Sequence, residues 1–140
     1  MHAFTRFGLG LATAAVVALA VPGAARADSE VAKGEAVFRA QCTACHALPD
    51  LNRNMIGPSL HGVVGRHAGR APGFSYSVAN TDSNVVWTER KLDAYLMKPK
   101  AVVPPRSFMP SWPAAGTRMT FPGLPDAAER KAVIAYLNIH

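Results

Sequence analysis

The sequence has 140 residues, a formal net charge of +6 from 15 Lys and Arg against 9 Asp and Glu, and only two cysteines. This length is enough for one domain and too short for two of ordinary size. No run of Lys or Arg exceeds two residues, which argues against nucleic-acid binding and favours steering toward an acidic protein surface.

The first 27 residues have the pattern of a secretory signal peptide. Arg6 precedes an apolar run from Leu9 to Val21, and Ala25-Arg26-Ala27 has the A-x-A form of a cleavage site. An uncleaved membrane anchor is the alternative, but a helix needs about 20 apolar residues to span hydrocarbon. We therefore predict cleavage after Ala27, a periplasmic location, no membrane anchor, and a single mature domain over residues 28–140.

A first helix is predicted from Asp28 to about Ala40, with Asp28 or Ser29 as its N-cap. Small and apolar residues recur there at helical spacing. A glycine-rich stretch over residues 62–73 then indicates a loop.

Two further helices are predicted in the second half of the chain. One begins at Thr88 and ends before Pro99, and the other follows the cap Asp126. The proline-rich stretch over residues 100–125 should contain little regular structure. Because no strand-like alternation appears, the sequence predicts an all-α fold with long irregular connections.

The stretch CTACH, from Cys42 to His46, carries the clearest chemical signal. In an exported chain two cysteines would usually form a disulfide, but a bridge across two residues closes a tiny loop and stabilises little. A thioredoxin-like site would need a βαβ surround, and a zinc site would need more ligands. C-x-x-C-H is the attachment signature of c-type haem. Two thiols one helical turn apart can bond the two vinyl groups on one porphyrin edge, and the imidazole of His46 then reaches the iron.

Several longer segments resemble class I cytochrome c, in the branch of mitochondrial cytochrome c and bacterial cytochrome c2. The resemblance runs from about Val31 to the end of the chain, and its most specific parts are KGEAVFRAQCTACH, GPSLHGVVGR, APGFSYSVAN, AYLMKPK, GTRMTFPG and AERKAVIAYL. It implies three main helices and short ones around one haem, bound covalently through Cys42 and Cys45. It also implies that the first and last helices cross near Gly34, with Tyr136 packed at the crossing.

The resemblance also implies which residue is the second axial ligand. Family members carry an axial methionine in a G-T-K-M-x-F segment, and GTRMTF places it at Met119. Met109 lies in an apparent insertion between Pro99 and Gly116 and stays an alternative, as do a histidine and an open site. Ligation by Met and His raises the reduction potential and suits electron transfer.

Further residues around the haem follow from the resemblance. Tyr76 and Trp87 would hydrogen-bond a haem propionate, with Arg66 beside the same carboxylates, although aromatic residues are also ordinary core residues. The carbonyl of Pro58 would accept from the His46 imidazole and orient the ring. A polar group beside the methionine sulfur and a buried water would comprise Tyr95, Asn80 and Thr117, although Asn80 is equally interpretable as a turn residue.

Electron-transfer partners are expected to be larger membrane or periplasmic redox proteins. Lys100 and Arg118 match cationic positions around the exposed haem edge in the family. At four other positions of that edge relatives often carry lysine, whereas this chain has Gln41, Met55, Pro125 and Asp126. We therefore expect docking that is weaker in charge, less sensitive to salt, or aimed at a different partner.

The remaining histidines are interpreted as solvent-facing residues and not as iron ligands. They are His61 and His67, in glycine-rich loops, and the last residue, His140.

Together these features predict a soluble, exported, monomeric, monohaem electron carrier that is not an enzyme. Two alternatives stay open. One is a haem sensor or ligand-binding protein in which the methionine leaves the iron, and the other is a dedicated electron-donor subunit of one dehydrogenase or oxidase.

Overall fold

A computed structural model of the chain describes residues 22–105 and 116–140. Within these ranges it contains five α-helices: α1 (Pro22–Gln41), α2 (Val78–Thr81), α3 (Glu89–Met97), α4 (Pro99–Val102) and α5 (Ala127–Asn138), with one 3-10 turn at Pro49–Leu51. The described residues form no strand, and His67 and Val86 make a single isolated antiparallel bridge. The predicted all-α fold is confirmed.

The first helix begins earlier than the sequence predicts. α1 starts at Pro22, so neither Asp28 nor Ser29 is its N-cap in the full-length chain, and the Ser29 hydroxyl instead donates to the carbonyl of Arg26. The residues before Asp28 are mainly alanine and arginine, which are strong helix formers and extend the helix backward. None of the helices in the described ranges is long and apolar enough to cross a bilayer.

The caps of α3 and α5 agree with prediction. Thr88 accepts from the backbone N–H of Lys91, and Asp126 accepts from those of Ala128 and Glu129. Such caps satisfy N–H groups that have no partner within the helix. Each helix therefore starts at a residue defined by its own sequence.

α1 and α5 cross at Gly34, as the resemblance implied. A Cβ on Gly34 would overlap the backbone of Ala132, so only glycine permits this approach. Phe38 and Tyr136 pack beside the crossing with ring centroids 5.5 Å apart, and Phe38 is fully buried. The crossing thus joins the beginning and the end of the chain.

α3 lies between the other elements, in contact with both α4 and α5. Its buried face consists of Leu92, Tyr95 and Leu96, and the Tyr95 ring lies 4.7 Å from that of Trp87. This face and the α1–α5 crossing belong to one hydrophobic core. The functional residues described below project from these helices and from the loops between them.

Candidate haem site

Cys42, Cys45 and His46 lie on a turn that continues directly from α1. The N–H of Cys42 bonds to the carbonyl of Phe38 at 2.8 Å, and the N–H groups of Cys45 and His46 both bond to the carbonyl of Cys42. Both cysteines are half-buried. Burial and the neighbouring Cys45 raise the pKa of Cys42 to about 11, so this thiol is uncharged at neutral pH.

The imidazole of His46 is buried and oriented by one hydrogen bond. Its Nδ1 lies 2.8 Å from the carbonyl oxygen of Pro58, and since a carbonyl only accepts, Nδ1 carries the hydrogen. The other nitrogen, Nε2, is then left with a free lone pair. Burial lowers the pKa of His46, although the bond to Pro58 opposes the effect, so the ring is neutral at pH 7 and able to bind a metal.

The loop that supplies the Pro58 carbonyl is itself held by side chains that the sequence analysis missed. The backbone N–H of Ser59 donates to Asn54 Oδ1 at 2.8 Å, and the Ser59 hydroxyl donates to Asn52 Oδ1 at 2.9 Å. Asn54 also donates to the carbonyl of Pro72, which ties this loop to the next. Asn52 has a φ of 40°, a left-handed conformation that asparagine tolerates. In the sequence, the two asparagines Asn52 and Asn54 were the only feature that could have indicated this hydrogen-bonded turn.

Met119 lies on a separate segment of the chain, next to a buried hydroxyl pair. Tyr95 OH and Thr117 Oγ1 are 2.6 Å apart, and the N–H of Met119 donates to the same Thr117 oxygen at 3.2 Å. The N–H of Thr117 donates to the carbonyl of Val103, which anchors the start of the segment. Met119 itself is half-buried against the hydrophobic core. Burial raises the pKa of Tyr95 above its usual value, so its hydroxyl stays protonated through the neutral range.

Asn80 is buried in α2, and its Oδ1 has no hydrogen-bond partner. Buried amide oxygens are nearly always paired with protein or ordered water. The alternative of an ordinary turn residue accounts for a neighbouring contact, since the Asn80 N–H bonds to the Ser77 oxygen that caps α2. It does not account for the unpaired, buried side-chain oxygen, which suits a residue that faces a bound group or water.

The structure brings Arg66, Tyr76 and Trp87 together. The N–H of Trp87 bonds to the carbonyl of Arg66, and the Arg66 charge acts on the Tyr76 hydroxyl. Burial raises the pKa of Tyr76, while a backbone bond at Ala71 and the Arg66 charge partly offset this. The Arg66 guanidinium donates to the carbonyls of Ser59 and His61, both at 2.8 Å. Arg66 therefore joins this group to the loop that orients His46.

Of the three other histidines in residues 28–140, two are placed as expected and the third is not. His61 and His67 are exposed. His140 is half-buried, its ring lies 4.7 Å from that of Tyr136, and its carbonyl accepts from the N–H of Gly62. The prediction of a solvent-facing His140 is wrong because the end of α5 packs against the loop after His61. Met109, the alternative axial ligand, lies outside the described residues.

Comparisons with known proteins agree with this arrangement. The family model of cytochrome c matches residues 31–139. The chain belongs to the cytochrome c family. It is 43% identical to cytochrome c2 of Rhodopila globiformis, over 76% of this chain and 89% of that protein. It is 40% identical to cytochrome c of Sesamum indicum, over 78% of this chain and 88% of that one.

A solved structure shares the fold as well as the sequence. Cytochrome cH from Methylobacterium extorquens is 38% identical, with a TM-score of 0.66, and the match covers 79% of this chain and 98% of that one. The chain is thus a class I cytochrome c, and as a member of this family it is a carrier of electrons that binds haem c. Cys42 and Cys45 fit the covalent attachment of that haem.

The residues present fit a haem c group on chemical grounds. The turn after α1 presents two cysteine sulfurs and a neutral, oriented imidazole, and a thioether lies on a separate segment. The buried Asn80 Oδ1, which has no hydrogen-bond partner, independently indicates that a polar group binds beside it. Gly57 fits the same interpretation, since a Cβ at this position would lie 2.7 Å from His46 Nδ1 and 2.8 Å from Nε2.

Substituting Gly57 by alanine tests how the His46 ring is placed. Because the added Cβ would overlap the ring, the imidazole has to move away from the Pro58 carbonyl. We expect Gly57→Ala to shift the visible absorption bands of the haem-loaded protein and to lower the free energy of unfolding by about 1–3 kcal/mol. Absorption spectra and guanidinium denaturation measure the two effects.

Gly62→Ala is the matched control. Gly62 has a φ of +59° and nothing within 4 Å of an added Cβ, so its substitution costs backbone strain alone, about 1–2 kcal/mol. Its absorption spectrum should equal that of wild type. Indistinguishable spectra for all three proteins would contradict a role for Gly57 in placing the ring.

Proposed function

We propose that this cytochrome is an exported, monohaem, one-electron carrier whose iron is ligated by His46 and Met119. Two observations carry the proposal: the His46 imidazole is buried, neutral and oriented, and the Met119 thioether lies on a separate segment that is anchored to the core. Haem iron supplies the chemistry, since it alternates between two oxidation states by gaining or losing one electron. The role of the protein is to fix the positions of the two proposed ligands.

Both proposed ligands are held by hydrogen bonds. The His46 ring is oriented by the Pro58 carbonyl at 2.8 Å, and the backbone N–H of Met119 donates to the Thr117 hydroxyl, which Tyr95 also contacts, at 3.2 Å. Ligands fixed in this way reorganise little when the charge on the iron changes, which favours fast electron transfer. Methionine as a soft, neutral donor also favours the reduced state.

Met119 is favoured over Met109 because of the bonds around it. The segment that begins at Gly116 packs against Val103 and Pro104, and Thr117 bonds to the Val103 carbonyl. The two described ends of the insertion, Pro105 and Gly116, are therefore close together. Because these two ends are adjacent, the number of residues inserted between them can vary without moving Met119.

Comparing Met119→Ala with Met109→Ala tests the ligand assignment. We expect the oxidised wild type to show a weak far-red absorption band from sulfur-to-iron charge transfer. Met119→Ala should abolish the band, and Met109→Ala, the matched control, should retain it. Absorption spectroscopy of the oxidised proteins is the measurement.

The same variants separate the carrier from the sensor alternative. A firm His/Met site in the reduced protein should not bind carbon monoxide at neutral pH, whereas Met119→Ala should bind it promptly. A band that persists in Met119→Ala would overturn the assignment. Prompt binding of carbon monoxide by wild type would favour a haem-based ligand-binding protein.

We propose that redox partners dock near Lys100 and Arg118. Both residues are exposed and flank the Met119 segment, and Arg118 also donates to the carbonyl of Ser75 at 3.3 Å. Gln41, Met55 and Asp126 are exposed too, and none of them adds positive charge. Electrostatic steering should therefore depend on few cations and be modest in size.

Reversing the two charges tests this docking surface. The reduced Lys100→Glu/Arg118→Glu protein should be oxidised several-fold more slowly than wild type by ferricyanide, a small anionic acceptor, at 10 mM salt. The difference should nearly vanish at 1 M salt, because the Debye length falls from about 30 Å to about 3 Å. Stopped-flow absorbance measures the rate.

A second double variant serves as the control. Arg90→Glu/Lys131→Glu makes the same change in net charge on exposed residues of α3 and α5. It should slow the reaction much less. Equal slowing in both variants would assign the effect to net charge and would contradict a local docking surface.

Export with cleavage after Ala27 is also part of the proposal. The family match begins at residue 31, and the Glu30 carboxylate lies 3.5 Å from Lys131 of α5. Removing residues 1–27 therefore spares this contact and the close approach of α1 and α5 at Gly34. It also leaves Asp28, whose negative charge suits a new helix N-terminus.

The mass of the secreted protein tests the cleavage site. Expression in a bacterium that matures c-type haem should yield a periplasmic protein with the mass of residues 28–140 plus one haem. Ala27→Leu, which destroys the A-x-A pattern, should leave uncleaved precursor. A wild-type product that begins at Met1, or at any residue other than Asp28, would contradict the prediction.

A further inference from the structure

The segment that carries Met119 is anchored to α3 at two places. The upstream anchor is the bond between Thr117 and Tyr95 described above. The downstream anchor begins five residues after Met119, where the N–H of Leu124 donates to the carbonyl of Leu96 at 2.8 Å. Gly123 permits this approach, because its φ is +119° and a Cβ there would overlap the carbonyl of Met97.

Arg130 of α5 completes the downstream anchor. Its Nη1 donates to the carbonyls of Leu124 at 2.9 Å and Pro125 at 2.8 Å, and its Nε donates to Asp93 Oδ1 of α3 at 2.7 Å. One guanidinium therefore connects α3, α5 and the end of the Met119 segment. Only arginine has donors spread over a rigid plane that can make these three bonds at once.

The cost of burying this charge indicates that it has a specific task. The side chain of Arg130 is 8% exposed, whereas that of Asp93 is 46% exposed. Burying a cation is unfavourable unless it is paired, and an apolar residue in such a place is often at least as stabilising. All of the donated bonds go either to Asp93, which orients the guanidinium, or to the carbonyls that end the Met119 segment.

We propose that Arg130, oriented by Asp93, is a positioning residue that fixes the downstream end of the Met119 segment and thereby slows release of the methionine sulfur from the iron. The inference rests on the proposed ligation by Met119. Thr117 is held at Tyr95 and Leu124 is held at the adjacent Leu96, so both ends of the Met119 segment are attached to one turn of α3. Weakening either attachment lets the segment move away from the helix.

Displacement of the methionine by added imidazole measures this effect in the haem-loaded protein. If the Met119 sulfur has to leave the iron before the added imidazole can bind, the rate at saturating imidazole would report how often Met119 leaves. Arg130→Met keeps the length of the side chain and removes its donors. We expect that rate to rise by about tenfold, the size expected for loss of hydrogen bonds to a charged group.

Three further variants sharpen the experiment. Asp93→Asn keeps an acceptor but removes the charge, and should give a smaller increase. Arg130→Lys keeps the charge without the planar fork, and should restore part of the wild-type rate. Lys131→Met, at the next residue of α5, removes an exposed ammonium and should leave the rate unchanged. An unchanged rate in Arg130→Met would overturn the proposal.

Amide hydrogen exchange separates positioning from general destabilisation. In Arg130→Met, exchange at residues 118–124 should accelerate more than exchange at Ala132 and Tyr136, which lie at the α1–α5 crossing. An equal acceleration at both places would mean that Arg130 only stabilises the fold, and would overturn the proposal.

The exchange experiment also distinguishes failure of this inference from failure of the ligand assignment. If Met119→Ala retains the far-red band, the ligand assignment is wrong, and with it the claim about release of the sulfur. Exchange at residues 118–124 involves no ligand assignment, so it still decides whether Arg130 holds the segment.

Discussion

The close approach of α1 and α5 at Gly34 is the constraint on which the rest of the molecule depends. A side chain at this position would overlap the backbone of Ala132, so the two helices could not come this close. α1 leads directly into the turn with Cys42 and His46, and α5 directly follows the segment with Met119. The crossing therefore brings two halves of the site, more than 70 residues apart in sequence, into one domain. Phe38 and Tyr136 stabilise this contact by burying aromatic surface.

α3 has a second organising role, because it holds the methionine segment. Three residues of this helix hold the segment. Asp93 orients Arg130, the Tyr95 hydroxyl bonds to Thr117, and the Leu96 carbonyl accepts from the N–H of Leu124. The apolar side of α3 meanwhile packs in the core. A rigid helix is thus used to fix an irregular loop, which is the usual way in which proteins combine a precise site with loop-borne functional residues.

The irregular segments are stabilised mainly by side chains that bond to backbone groups. Asn54 holds Ser59 and Pro72, and Arg66 holds the carbonyls of Ser59 and His61. These bonds satisfy backbone groups that no helix or sheet pairs, and they keep the Pro58 carbonyl directed at His46. The proposed electron transfer depends on this rigidity, since the ligands have to stay in place while the charge on the iron changes.

By itself the sequence determined the features that are local in the chain. The C-x-x-C-H spacing indicates haem c, the caps at Thr88 and Asp126 locate two helix starts, and apolar periodicity predicts an all-α fold. Only the tertiary structure decided which polar groups meet. Nothing near Arg130 in the sequence reveals that it reaches Asp93 and the carbonyls before α5, and nothing near His140 reveals its contact with Tyr136 and Gly62. The physical reason is that periodicity and caps depend on neighbours within a few residues, whereas hydrogen bonds between distant segments depend on how the helices pack.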